Sequence, residues 1–225
     1  MKTPVNATRR KLLNTARPYL FIAPSIAVFL VFMIYPVFYM IYLSFYKWDM
    51  MGDMVYIGLK NFVDLFTDLG FIRVIGNTFQ YMGLTVVLTV VLALLLALLL
   101  KVNTRLNAFL QNIIFLPYII SFVSISFIWM WMMDSSYGLF NFLLSLLHIS
   151  PVRWLESPET AMFSLVLVAV WKGVGYNTII LISGMKSIPG YLYEAATLDK
   201  AKKSTVFFKI TLPMLSPTLF FLTLV

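Results

Sequence analysis

No cysteine occurs anywhere in the 225 residues. That excludes disulfides, a thiol nucleophile and cysteine-bound metal. The sole histidine, His148, has no neighbouring ligand residues and reads as a surface side chain, so no metal site is expected. Charge is scarce as well. Asp, Glu, Lys and Arg together make up 12% of the chain, about half the share usual in a soluble domain. No carboxylate pair, no nucleophile beside a base and no phosphate-cradling loop is visible. The chain therefore reads as a non-enzyme with no catalytic residues.

What fills the sequence instead is apolar: 61% of it is hydrophobic. These residues fall in long runs, the pattern of a polytopic membrane protein. Runs of about 20 residues read as helices, because a backbone in lipid must satisfy its own hydrogen bonds. Five runs are present. The first spans residues 19–45 and contains Pro24 and Pro36, which are expected to kink it or make one end re-entrant. It is too long for a signal peptide and has no early small-residue cleavage site, so it reads as a retained span. The second, "NTFQYMGLTVVLTVVLALLLALLL", is the cleanest. The third, "FLQNIIFLPYIISFVSISFIWMWMM", holds Pro117. The fourth is "AMFSLVLVAVWKGVGYNTIILISGM". The fifth, "MLSPTLFFLTLV", stops at the chain end. About 12 residues cannot cross a hydrocarbon layer of about 30 Å, so the chain reads as truncated within its fifth main span rather than ending at the membrane surface.

The formal charge of +8 is organised by topology. Lys2, Arg9, Arg10, Lys11 and Arg17 precede the first run without an acid. Lys101 and Arg105 stand alone in the next basic loop, and Lys186, Lys200, Lys202, Lys203 and Lys209 outnumber Glu194 and Asp199 in the last. The two intervening loops are net acidic. This alternation predicts a cytoplasmic N-terminal segment over residues 1–17 and a transmembrane domain over 18–225. In one acidic loop Leu59, Phe62, Val63 and Phe66 share a helical face, predicting a short helix on the membrane surface.

The segment from Lys186 to Thr211 is a polar island. "SIPGYLYEAATLD" reads as a short helix with Pro189 near its first turn, and "AKKSTVFFKI" as a second. Phe207, Phe208 and Ile210 are expected against the bundle, and Lys202, Lys203 and Lys209 in water. Ala195 and Ala196 are small enough for another protein to approach closely, with Glu194 and Asp199 beside them to receive its Arg or Lys.

The wording "YEAATLDKA … FFKITLP" resembles the EAA motif of the membrane subunits of bacterial ABC importers. Glu194, Ala195, Ala196, Asp199, Ala201, Phe207, Ile210, Leu212 and Pro213 match its spacing. Lys200 departs from it, standing where the family usually has Gly at the bend between the helices. Nearly the whole chain, including "YIGLKNFVDLF" and "WKGVGYNTIILISGMKSIPGYLYEAA", looks like the carbohydrate-type subgroup of these permeases, relatives of the maltose and glycerol-phosphate importers.

That resemblance implies an all-α bundle of the type I ABC importer permease kind. It implies a second permease subunit, usually a different chain, an extracytoplasmic solute-binding protein and a cytoplasmic ABC ATPase dimer that binds ATP and Mg; no cofactor is implied for this chain. It places the chain in the bacterial inner membrane as a multi-pass protein, with no nucleic-acid partner. The loop at 187–212 would be the ATPase-coupling segment, carried by Tyr193, Glu194, Ala195, Ala196, Asp199, Lys200 and Ala201.

A substrate path is suggested by the fourth run. Lys172 falls near its middle, where a charge is costly unless it faces protein or water. Gly173 and Tyr176 share a face with it and Asn177 lies beside them, offering space, a stacking ring and donors for a sugar. The same residues admit a structural reading: glycines that let helices approach, and a lysine that snorkels or pairs with a partner's carboxylate. Gln80, Tyr81, Gln111, Asn112, Tyr118 and Ser121 read as interhelical bonding groups, and Trp129, Trp131 and Trp154 as interface anchors. A secondary transporter driven by ions is the alternative function. It would need carboxylates at membrane depth, and every Asp and Glu here falls in a loop.

Overall fold

A computed structural model describes residues 4–224, with side chains from residue 17 onward. The basic side chains of Lys2, Arg9, Arg10 and Lys11 lie outside the described residues. The chain forms two compact units, residues 1–75 and 76–225.

In the first unit, α1 (Pro4–Phe29) passes through a wide π turn (Leu30–Ile34) into α2 (Tyr35–Leu43). The prolines do not divide this run. Arg17–Leu43 is one apolar helical stretch of 27 residues, long enough to span a bilayer. Pro36 has no N–H and its ring crowds the carbonyl four residues back, at Phe32. The π turn contains Phe32 and takes up that misfit. A two-residue antiparallel ribbon follows, β1 (Tyr46–Lys47) with β2 (Val55–Tyr56). Asp49 closes its turn by accepting from the N–H groups of Met51 and Gly52, which hold its carboxyl below the usual carboxylate range. The predicted short helix is present as α3 (Lys60–Thr67). Asn61 ties it back by donating to the carbonyls of Ser44 and Tyr46, both at 2.9 Å.

The second unit is built on α4 (Leu69–Leu100) from Gly76 onward, α5 (Arg105–Ile119), α6 (Phe122–Met132), α7 (Leu139–Leu146) and α8 (Pro158–Lys186). Helices α4 and α8 are further continuous apolar stretches of spanning length. The third run is not continuous: α5 and α6 meet at 96°. The loop before α8 is organised by buried Asn141. It donates to the carbonyls of Ser135 and Val152 and accepts from Val152 N–H and Trp154 Nε1. Asp134 opens the same loop, its carboxyl lowered by the N–H groups of Tyr137 and Ser136. Trp129 and Trp154 both sit edge-on to Phe140, and Trp129 also to Trp171. Trp131 stays half exposed.

The polar island begins with α9 (Gly190–Leu198), with Pro189 at its N-cap. The second arm runs longer than its sequence suggests. It comprises α10 (Lys203–Val206), a π turn (Phe207–Thr211) and α11 (Leu212–Met214), then bends by 59° into α12 (Ser216–Leu224). Pro213 lies within α11, immediately before the fifth apolar run. Again the π turn contains the residue four before a proline.

The core lies where α4, α8 and α12 meet. Ala93, Ala97, Leu181 and Leu215 are fully buried there. Contacts fix the directions. Thr89 neighbours Gly173 and Ala93 neighbours Thr178, so α4 and α8 run parallel. Ile114 faces Gly175 while Pro117 faces Lys172, so α5 runs against α8.

Candidate functional site

Helices α4, α5, α8 and α12 enclose a cavity of about 230 Å³, lined by ten residues. From α4 come Thr85 and Thr89, one turn apart. From α8 come Gly173, Tyr176 and Asn177, three of the residues that the sequence singles out. Tyr118 enters from α5 and Leu222 from α12.

Each wall has a local cause. Gly173 contributes space: a Cβ there would lie 3.5 Å from the Thr89 methyl. Tyr176 stacks on Tyr118 with ring centres 4.4 Å apart and planes within 12°. Asn177 donates to the Gly173 carbonyl at 2.8 Å, the fourth residue back, which fixes its amide along the helix. The Thr85 and Thr89 hydroxyls are buried and find no hydrogen-bond partner among the described residues. An unmade bond of that kind costs about 1–3 kcal/mol.

Lys172 stands apart from the other three. It does not line the cavity. Its ammonium turns to α5 and donates to the carbonyls of Ile120 (2.9 Å), Pro117 (3.2 Å) and Tyr118 (3.3 Å). No charged side chain lines the cavity.

Sequence reasoning missed Thr85 and Thr89. A signal was there: Thr85, Thr89, Ala93 and Ala97 recur every fourth residue, a small-residue stripe on a helix otherwise rich in Leu and Val. The stripe faces α8, with both alanines fully buried.

The island forms a second candidate site. On α9, Leu192 and Tyr193 are partly buried and Ala196 is 7% exposed. Tyr193 hydroxyl meets Thr211 hydroxyl at 3.2 Å, joining the two arms. Ala196 is thus spent inside the chain and leaves no room for a partner, contrary to the expectation for the pair. The opposite face presents Tyr191, Glu194, Ala195 and Leu198, spaced three and four apart, with Leu198 84% exposed. In the second arm Phe207 and Ile210 are partly buried as expected, and Lys202, Lys203 and Lys209 are exposed. Phe208 is not against the bundle: it is exposed and sits edge-on to Phe207.

Between the arms α9 ends in a Schellman turn. Lys200 N–H donates to the Thr197 carbonyl and Ala201 N–H to the Ala196 carbonyl. Asp199 is the C-cap, and Lys200 occupies the left-handed position at φ 51°, where glycine is favoured.

The model of a family described as "Binding-protein-dependent transport system inner membrane component" matches residues 89–225. The chain belongs to this family. Among its relatives is the probable ABC transporter permease protein YurN of Bacillus subtilis, 35% identical over 205 residues, covering 89% of this chain and 70% of the relative. The trehalose/maltose transport system permease protein MalF of Thermococcus litoralis is 35% identical over 202 residues, covering 89% and 68%. The sn-glycerol-3-phosphate transport system permease protein UgpA of Brucella suis is 32% identical over 215 residues, covering 94% and 72%. The fold agrees. A crystal structure of a bacterial alginate ABC transporter, bound to an alginate pentasaccharide-loaded periplasmic protein, matches with TM-score 0.81 and 29% identity. It covers 93% of this chain and 70% of that one. The permease is accordingly an all-α, multi-pass membrane transport component.

Proposed function

We propose that this permease forms half of the translocation path for a neutral sugar in an ATP-driven importer. The observation that carries the substrate class is the cavity lining. It offers an aromatic pair and a carboxamide, and no charge. Rings and neutral hydrogen-bonding groups suit a polyhydroxylated ring. The one nearby cation, Lys172, already has a carbonyl for each of its three protons, so nothing here complements a phosphate or carboxylate. A neutral sugar fits this lining better than the glycerol phosphate or alginate handled by some relatives.

Coupling is assigned to the island. The exposed face of α9, with Tyr191, Glu194, Ala195 and Leu198, would seat in a groove of a separate cytoplasmic ATPase, which binds ATP and Mg. Asp199, Lys200 and Ala201 would hold the turn that aims this face, and Tyr193 would tie it to the second arm. The charge alternation supports an N-terminus on the same side. A second permease and a solute-binding protein complete the assembly; the alginate transporter is likewise seen with a periplasmic protein. An ion-driven mechanism is disfavoured, since no carboxylate lines the cavity.

The test is sugar uptake by the assembled transporter in proteoliposomes. Tyr176→Leu and Asn177→Ala are expected to lower uptake about tenfold while ATPase co-purification is kept, removing a stacking face and a polar contact each worth about 1–2 kcal/mol. Uptake of phosphorylated but not neutral sugars, or unchanged kinetics in both variants, overturns the assignment.

A further inference from the structure

The bend between α5 and α6 sits within an apolar run, where a broken helix would ordinarily leave carbonyls unsatisfied. At the end of α5 the carbonyls of Pro117, Tyr118 and Ile120 all converge on Lys172 Nζ. Ile120 and Ser121 are in extended backbone, so the helical ladder stops there. The same ammonium lies 6.0 Å from the ring centre of Phe122, the first residue of α6. It therefore touches both sides of the break. One turn along α8, Gly175 brings the two backbones together: a Cβ there would fall 1.7 Å from the Ile114 carbonyl oxygen. That approach keeps the lysine stem within reach of the helix end.

We propose that Lys172 is a positioning residue, a C-terminal cap for α5 delivered from α8, which holds the α5–α6 bend and through it sets Tyr118 against Tyr176. Three observations converge on this. A half-buried ammonium has three protons and finds three carbonyls. The carbonyl end of a helix attracts a cation through its dipole. Tyr118, whose carbonyl is one of the three, carries the ring that stacks on Tyr176 in the cavity wall. The lysine thus shapes the site without lining it. Leaving the three carbonyls unpaired in an apolar setting would favour a straighter, rewound helix.

The cap does not depend on what passes through the cavity; only its transport readout rests on the function proposed above. The test uses the complete transporter in nanodiscs, with spin labels on Phe109→Cys in α5 and Phe127→Cys in α6. Both side chains are exposed, and the chain has no native cysteine to interfere. Lys172→Arg is expected to keep the native distance distribution. Lys172→Met is expected to broaden it toward the roughly 27 Å spanned by an unbroken helix of that length. Sugar uptake should fall between about twofold and thirtyfold in the same variant. An unchanged distribution in Lys172→Met overturns the proposal, and lost uptake at unchanged spacing reassigns Lys172 to the solute. A widened distance in a transporter that moves no sugar in any variant, wild type included, supports the cap and sinks the proposed cargo. Should Lys172→Met not assemble, the unsubstituted chain decides. Dipolar coupling between ¹⁵Nζ-lysine and ¹³C-carbonyl isoleucine, absent from Lys172→Arg, reports the Lys172–Ile120 contact, and its absence from the native chain overturns the proposal.

Discussion

Two glycines two residues apart on α8 do different things. A methyl group on Gly173 would meet the Thr89 methyl and the Asn177 amide nitrogen, both at ordinary contact distance. A methyl group on Gly175 would overlap the backbone of Ile114 and Phe115. Gly173→Ala is therefore expected to fold normally, with helix propensity shifting by up to about 1 kcal/mol in its favour, while narrowing the cavity. Gly175→Ala must push α5 off α8, at about 3 kcal/mol or more. Yield of monodisperse permease in detergent, with a thermal melt, separates the two outcomes. Lys200 offers a test of opposite sign. An L-residue in the left-handed region costs about 1–2 kcal/mol, which glycine avoids. Lys200→Gly is expected to slow amide exchange at Ala201, whose N–H closes the Schellman turn; faster exchange would show that the lysine stabilises the turn in some other way.

At the scale of elements, the island is a helix with two unlike faces. Ala195 and Ala196 are chemically identical and adjacent, yet one faces out and the other is buried. Ala196→Glu buries a charge without a partner and is expected to unfold the loop. Ala195→Glu leaves the fold intact and, on the coupling proposed here, abolishes ATPase co-purification. Equal losses of fold in both variants would refute the two-faced arrangement. Here the limits of sequence reading are physical. Apolar runs, acidic and basic loops, α3 and both arms of the island were legible, because hydropathy and periodicity report burial by lipid and helix geometry directly. The wide turns were not: both precede a proline, but a proline specifies a misfit rather than the way the chain absorbs it. The α5–α6 break was hidden too. Its partner is a lysine 52 residues downstream of Ile120, and no local pattern announces that pairing. In the cavity Gly173, Tyr176 and Asn177 stood out as space, ring and donor beside a lysine in mid-run, whereas Thr85 and Thr89 were masked by a leucine-rich helix.

For the molecule as a whole, orientation is the property on which the proposed coupling turns. A thiol introduced by Thr197→Cys sits on exposed α9 in a background free of other cysteines. Impermeant maleimide should leave it unlabelled in intact cells and label it in inverted vesicles. Labelling in intact cells would place the island on the wrong face for an internal motor. The Gly175 crossing bears on how any push there would travel. With backbone against backbone at that point, α8 has no slack to slide past α5, so the crossing acts as a fulcrum. The helix extends about 16 Å from it to Lys186 and about 26 Å to Pro158. A small sideways displacement at the short arm would then emerge at the far end enlarged by roughly half again.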